Sequence, residues 1–159
     1  MVKAIMHGCN GKMGQVITGI IAEDKDAEIV AGVDTSNHIQ NTYPVFGNIA
    51  DCNVEADVVI DFCAAPAVDG LLKYCVEKQV PCVLCTTGLS EAQLAAVEEA
   101  SKKVAILRSA NMSLGVNMLL KILKEAAGIL APAGFDIEIV EKHHNLKVDA
   151  PSGTALALA

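Results

Sequence analysis

The sequence predicts an α/β fold: a doubly wound parallel sheet with helices on both faces, followed by the beginning of an α+β unit. Three observations carry this reading. Short, nearly continuous apolar runs alternate with amphipathic helical stretches from the N-terminus onward. A glycine-rich turn joins the first run to the first helix, and the rhythm changes after Arg108. Right-handed crossovers between parallel strands then make residues 1–113 the doubly wound part, with 114–159 as the incomplete start of the second.

Each element has its own signal. Val2–His7 is a short apolar run ending at Gly8, and residues 11–22 repeat Met13, Val16, Ile17, Ile20 and Ile21 at helical spacing. Residues 28–33 are rich in β-branched side chains, whereas 35–50 are polar and turn-rich and read mostly as loop. Residues 58–62 form a buried-strand run, and Pro66 opens a helix with Val68, Leu71, Leu72 and Cys75 on one face. Residues 82–85 are a strand. Ser90 with Gln93 has the form of a capping box, followed on the inner side by Leu94 and Val97. Residues 104–107 make a fifth strand. Beyond Arg108, Leu114–Leu130 reads as one long helix with Val116, Leu119, Leu120, Leu123 and Leu130 inward. Residues 135–141 read as a strand, and Pro151-Ser152-Gly153-Thr154 opens a final helix that stops five residues later. That short helix reads as a sign of C-terminal truncation.

Composition narrows the function. A chain of 159 residues with 52% hydrophobic and 19% charged side chains can bury a real core. Its net charge of −7 disfavours a nucleic-acid surface, which needs cations to displace counterions. Aromatic residues at 3%, with no Trp, leave few platforms for base stacking. No uncharged apolar run approaches the ~18 residues of a membrane span. Six cysteines sit in a core-rich chain with no leader-like segment before its first apolar run. The expectation is a cytoplasmic protein with reduced cysteines. Cys82 and Cys85 face opposite sides of a strand, which suits neither a disulfide nor a shared metal. Cys52, Cys63 and Cys75 are read as small apolar fillers, and Cys9, in the glycine loop, as exposed.

Two motifs carry chemistry. Gly8-Cys9-Asn10-Gly11-Lys12-Met13-Gly14 follows a strand and opens a helix. Gly8 permits the tight turn, Gly11 lets a pyrophosphate approach the backbone, and Gly14 lets helix pack on strand. The plain alternative is a strand–helix turn that simply needs glycine. Asp34, 20 residues beyond Gly14, ends the second strand, where a carboxylate accepts ribose hydroxyls and repels a 2′-phosphate. The second motif runs from Glu141 to Thr154. His143 and His144, with Lys147, offer titratable donors and a fixed positive charge. Ser152, Gly153 and Thr154 at a helix start suit an anion. Together they fit an anionic substrate that must receive a proton. Adjacent histidines on an extended segment point apart, so no metal is expected there.

These residues resemble the dihydrodipicolinate reductase family of the bacterial and plant lysine pathway. The likeness runs through nearly the whole chain. It rests on the glycine loop, Val59-Ile60-Asp61-Phe62 with Pro66, Thr86-Thr87-Gly88, Ser109-Ala110-Asn111-Met112-Ser113-Leu114-Gly115-Val116-Asn117, and the stretch from His143 to Thr154. The resemblance implies a Rossmann-type reductase of diaminopimelate and lysine biosynthesis. Such an enzyme passes a hydride from NADH or NADPH to a cyclic imine dicarboxylate, giving tetrahydrodipicolinate. It further implies that Gly8, Cys9, Asn10, Gly11, Lys12 and Met13 wrap the pyrophosphate and that Asp34 holds the adenosine ribose. Cys85, Thr86, Thr87, Ser109, Ala110, Asn111 and Met112 would line the nicotinamide side. His143 would donate the proton and Lys147 would take the second catalytic role. His144, Lys147, Ser152, Gly153 and Thr154 would hold the substrate carboxylates, and the family assembles as a homotetramer.

Three departures qualify this. Cys85 stands where relatives commonly have Gly, and Met112 where they often have Phe. Thr35 follows Asp34 where NADPH users often carry Arg, which favours NADH. Family chains are also considerably longer, so the turnover of this chain alone is in question. Two alternatives stay open: a catalytically incomplete nucleotide-binding fragment, or another small two-domain NAD(P)-dependent dehydrogenase.

Overall fold

A computed structural model describes every residue except 37, 144 and 146–149. The chain divides into two units, Met1–Ser109 and Ala110–Ala159.

In the first unit the alternation read from the sequence becomes six strands and three α-helices. These are β1 (Val2–His7), α1 (Lys12–Ala22), β2 (Ala27–Val33), β3 (Val45–Phe46), β4 (Val58–Asp61), α2 (Val68–Lys78), β5 (Cys82–Leu84), α3 (Glu91–Ser101) and β6 (Ile106–Arg108). All pairings are parallel, in the order β3-β2-β1-β4-β5-β6. The winding reverses at β1, which pairs with β2 on one side and β4 on the other. In such sheets the crevice beyond the carboxyl ends of the strands at this switch point is where ligands bind.

The core lies where the continuous apolar strands meet the helices. Ile5, Val59 and Leu84 are fully buried, and α2 lays Val68, Leu71, Leu72 and Cys75 into the same cluster. The Ser90 box is present: its hydroxyl accepts the Gln93 N–H at 3.2 Å, and Gln93 Oε1 accepts the Ser90 N–H at 3.1 Å. Val97 is buried, but Leu94 is exposed.

Several sequence expectations need correction. The sheet has a sixth strand, because Val45 and Phe46 pair with Gly32 and Val33 inside the segment read as loop. A two-residue strand is too short to show a period. The last strand begins at Ile106 rather than Val104. On α1, Met13, Val16 and Ile20 are exposed. Its more sheltered row runs through Gly14, Ile17, Thr18 and Ile21, with the Thr18 hydroxyl 2.8 Å from that of Tyr43. Apolar residues cover more of this helix than the face that packs.

In the second unit α4 (Leu114–Leu130) has the predicted bounds, capped by the Ser113 hydroxyl. None of its residues is buried, and Leu119 and Leu130, expected inward, are exposed. Residues 135–141 are exposed and form no strand. A strand exists through its ladder, and no described segment pairs with this one. The unit closes with α5 (Gly153–Leu158).

Candidate functional site

In the first unit the candidate site begins at the turn from β1 to α1. Gly8 has φ +84°, and a Cβ there would lie 2.7 Å from the Phe62 carbonyl oxygen. A Cβ on Gly14 would collide with the carbonyl oxygens of Gly8 and Cys9. The turn is therefore closed by backbone on both sides. Gly11 N donates to Gly8 O at 3.1 Å, and the Gly8 and Cys9 N–H groups reach Val33 O at 2.8 and 3.3 Å. Gly11 caps α1 without a side-chain hydrogen bond, and the first turn holds no acidic residue. The opening N–H groups of α1 are thus left for an anion. This is the feature that fits a dinucleotide pyrophosphate, with Lys12 and Met13 exposed beside it.

Asp34 lies just beyond β2, and both its oxygens are engaged: Oδ2 accepts the Asn10 N–H at 3.0 Å and Oδ1 the Ser36 N–H at 2.9 Å. The Asn10 side chain is also used internally. It donates to the Ser36 carbonyl and accepts from Asn41 Nδ2 at 2.7 Å. Gln15 Nε2 completes the tether, reaching Asn41 Oδ1 and Cys9 O, each at 2.9 Å. Asn10 is therefore a brace for the loop. Gln15 and Asn41 carried no sequence signal, because their roles depend on contacts over 26 and 31 positions. Cys9 is fully buried, contrary to the exposed position expected. Its side chain packs where a Cβ on Gly32 would fall, and burial pushes its thiol up to about 11.

Asp34 and Thr35 line a cavity of about 230 Å³ together with His7, Asn48, Cys63 and Pro66. Beneath it lies a polar cluster that sequence reasoning missed. The fully buried Asp61 carboxylate meets His7 Nδ1 at 2.7 Å and accepts from the Thr86 hydroxyl at 2.6 Å and the Cys63 N–H at 3.3 Å. Strand register explains the first contact: His7 and Asp61 are direct partners across β1 and β4. Cys85 is buried at the end of β5, its thiol raised to about 11 by burial and then by the Asp61 charge. Thr87 is exposed, and Ser109 donates its N–H to Leu84 O at 3.1 Å.

The other unit, by itself, carries a second group of candidate residues. His143 Nδ1 lies 3.4 Å from Glu141 Oε2, and Glu141 Oε1 accepts the Ser152 N–H at 2.9 Å. The Ser152 hydroxyl caps α5 by accepting the Ala155 N–H at 3.0 Å. Thr154 Oγ1 accepts from Asn111 Nδ2 at 3.0 Å. Glu141, absent from the expected site, thus joins His143 to the α5 cap. Gly153 is the first residue of α5, while Ala110 and Met112 lie before α4, Met112 exposed. His144 and Lys147 lie outside the described residues.

A doubly wound parallel sheet with an uncapped glycine turn after β1 and a carboxylate after β2 defines the Rossmann class of dinucleotide-binding proteins. Within that class the family is clear. Residues 2–112 match the family "Dihydrodipicolinate reductase, N-terminus", and residues 115–159 match "Dihydrodipicolinate reductase, C-terminus". The chain belongs to the dihydrodipicolinate reductase family. It is 54% identical over 159 residues to the 4-hydroxy-tetrahydrodipicolinate reductase of Caldanaerobacter subterraneus subsp. tengcongensis. Identity to that of Clostridium tetani is 52%. Each match covers 100% of this chain and 62% of the relative, so the chain spans about three-fifths of their length. Among solved structures, the dipicolinate-bound dihydrodipicolinate reductase from Paenisporosarcina sp. TG-14 matches with a TM-score of 0.80 and 29% identity. That match covers 99% of this chain and 64% of the other. No helix among the described residues is long and apolar enough to cross a membrane.

Proposed function

We propose that the chain is part of an NAD(P)H-dependent 4-hydroxy-tetrahydrodipicolinate reductase of lysine and diaminopimelate biosynthesis. Residues 1–113 are its dinucleotide-binding domain and 114–159 the start of its substrate-binding and oligomerisation domain. The observation that carries this reading is the uncapped glycine turn in a chain whose two parts match the two halves of one reductase family. The enzyme is cytoplasmic and, as a whole, a homotetramer.

A reduced nicotinamide supplies the hydride when bound. The protein's own work is binding, orientation and proton delivery. Gly8, Cys9, Gly11, Lys12 and Met13 form the pyrophosphate cradle, braced by Asn10. Asp34 takes the adenosine ribose, and Thr35 beside it brings no cation for a 2′-phosphate, which favours NADH. Cys85, Thr86, Thr87, Ser109, Ala110, Asn111 and Met112 line the nicotinamide side. Ser152, Gly153 and Thr154, with His144 and Lys147, hold the carboxylates of a cyclic imine dicarboxylate. His143 donates the proton as the imine carbon accepts hydride, with Lys147 supplying charge beside the developing electron density.

The test is calorimetric titration of the chain with NADH and NADPH, followed by pyridine-2,6-dicarboxylate. Binding of a reduced nicotinamide dinucleotide, with NADH at least as tight as NADPH, is expected. Binding of neither would overturn the reading.

A further inference from the structure

The buried His7–Asp61–Thr86 cluster has no part in the roles above beyond Thr86 itself. Asp61 is fully buried and His7 nearly so, at 4% exposure. A carboxylate and an imidazole at such depth are costly unless paired and hydrogen-bonded, as these are. Asp61 sits at the end of β4, flanked in register by His7 of β1 and Leu84 of β5. It therefore lies under three loops at once: the glycine turn, the segment after β4 and the segment after β5.

Its contacts reach the strand end before the glycine turn and both of the later segments. Asp61 Oδ1 lies 2.7 Å from His7 Nδ1, and the carboxylate accepts from Cys63 N and Thr86 Oγ1 of the segments after β4 and β5. The Thr86 hydroxyl shares its hydrogen between Asp61 Oδ2 at 2.6 Å and the Cys63 carbonyl at 3.0 Å. The Cys85 N–H also donates to Asp61 O at 3.0 Å. Ligand atoms of His7, Asp61 and Cys63 lie within 4.8 Å of one another, a spacing a metal ion could use. Hydrogen bonds already account for the carboxylate, and no buried side-chain nitrogen or oxygen among the described residues lacks a partner.

We propose that His7 and Asp61 are positioning residues that hold Thr86, and with it the loop after β5, in place for the nicotinamide half of the cofactor. The inference rests on the cofactor reading above. The adenosine half lies over β2 and Asp34, so the dinucleotide's other half falls toward β4 and β5. Asp61 acts as the hub, and His7 fixes its orientation from the far side.

Binding of NADH and of ADP, which carries only the adenosine half and the phosphates, separates positioning from general damage. Thr86→Val and His7→Leu should weaken NADH by about tenfold to a hundredfold, the worth of one hydrogen bond to a charged group. ADP affinity should stay within roughly threefold. Thr86→Ser keeps the hydroxyl and His7→Asn keeps a hydrogen-bonding group near the Nδ1 position, so both should restore NADH binding. Because Thr86 itself lines the nicotinamide side, Asp61→Asn, which keeps the side chain's size, answers the question if His7→Leu fails to fold, and it too should weaken NADH and spare ADP. Equal losses for NADH and ADP, or no loss for either, would overturn the proposal. So would stoichiometric zinc in the wild-type chain that disappears in His7→Leu. A wild-type chain that binds ADP but no reduced nicotinamide dinucleotide would instead overturn the cofactor reading, and this inference with it.

Discussion

The Asp34 carboxylate accepts the backbone N–H of Asn10 at 3.0 Å, so the residue proposed to hold a ribose also pins the glycine turn. Its second oxygen fixes Ser36. One side chain therefore sets the spacing between the turn after β1 and the loop after β2.

Asp34→Ala should accordingly weaken both cofactors, and NADH more than NADPH. Two charge-assisted hydrogen bonds to backbone are lost along with the ribose acceptor, so a fall of about tenfold to a hundredfold in NADH affinity is expected. Calorimetry with both cofactors checks it. A clear wild-type preference for NADPH at low salt would sink the assignment of Asp34.

Glycine substitutions on α1 should split sharply. Gly14→Ala drives a methyl into the carbonyls of Gly8 and Cys9, whereas a Cβ on Gly19 meets nothing within 4 Å. The first should cost about 1–3 kcal/mol or more and abolish dinucleotide binding. The second, in the helix interior, should stabilise by about 0.5–1 kcal/mol. Thermal melts of the two variants give the answer, and a Gly14→Ala chain that melts and binds like wild type would refute the geometry.

The thiols give a pH prediction. All six cysteines are free. Burial, with the Asp34 charge second at Cys9 and the Asp61 charge second at Cys85, lifts these two thiols from 9.0 to about 11. The folded chain thus keeps their protons when the unfolded chain has begun to lose them. Their contribution to stability is whole below pH 9.0 and is lost as pH rises from there through about 11. Denaturant midpoints should fall over that window, and less so in Cys9→Ala. Slow iodoacetamide labelling of the native chain at about pH 8 should accompany this. A chain that unfolds on treatment with reductant would contradict free thiols.

His143→Ala, measured in a chain of the relatives' full length, should lower kcat by about 10²–10⁴ with little change in NADH affinity. Lys147→Ala should be similarly severe. Glu141→Gln should have a milder effect, because it keeps an acceptor for the Ser152 N–H while removing the charge beside His143. Parallel loss of NADH binding in the His143 variant would mean that it acts through folding.

The sequence by itself determined where most of the strands and helices lie and the features that sit within one turn, though not which face of α1 or α4 is sheltered. Strand–helix alternation, the packed face of α2, the Ser90 box and the bounds of α4 were all legible, because backbone geometry and side-chain period are local. So was the glycine turn, since the strand before it and the helix after it lie within the same short stretch. Only the tertiary structure decided what depends on partners far along the chain. Val45 and Phe46 became a strand because β2 was there to pair with them, and residues 135–141, equally apolar in part, did not because no described segment pairs with them. Cys9 was buried by Gly32 and Tyr43, and His7 met Asp61 only through the register of β1 against β4. Register and burial come from which segments condense side by side, and a pattern read along one segment carries no information about its neighbour.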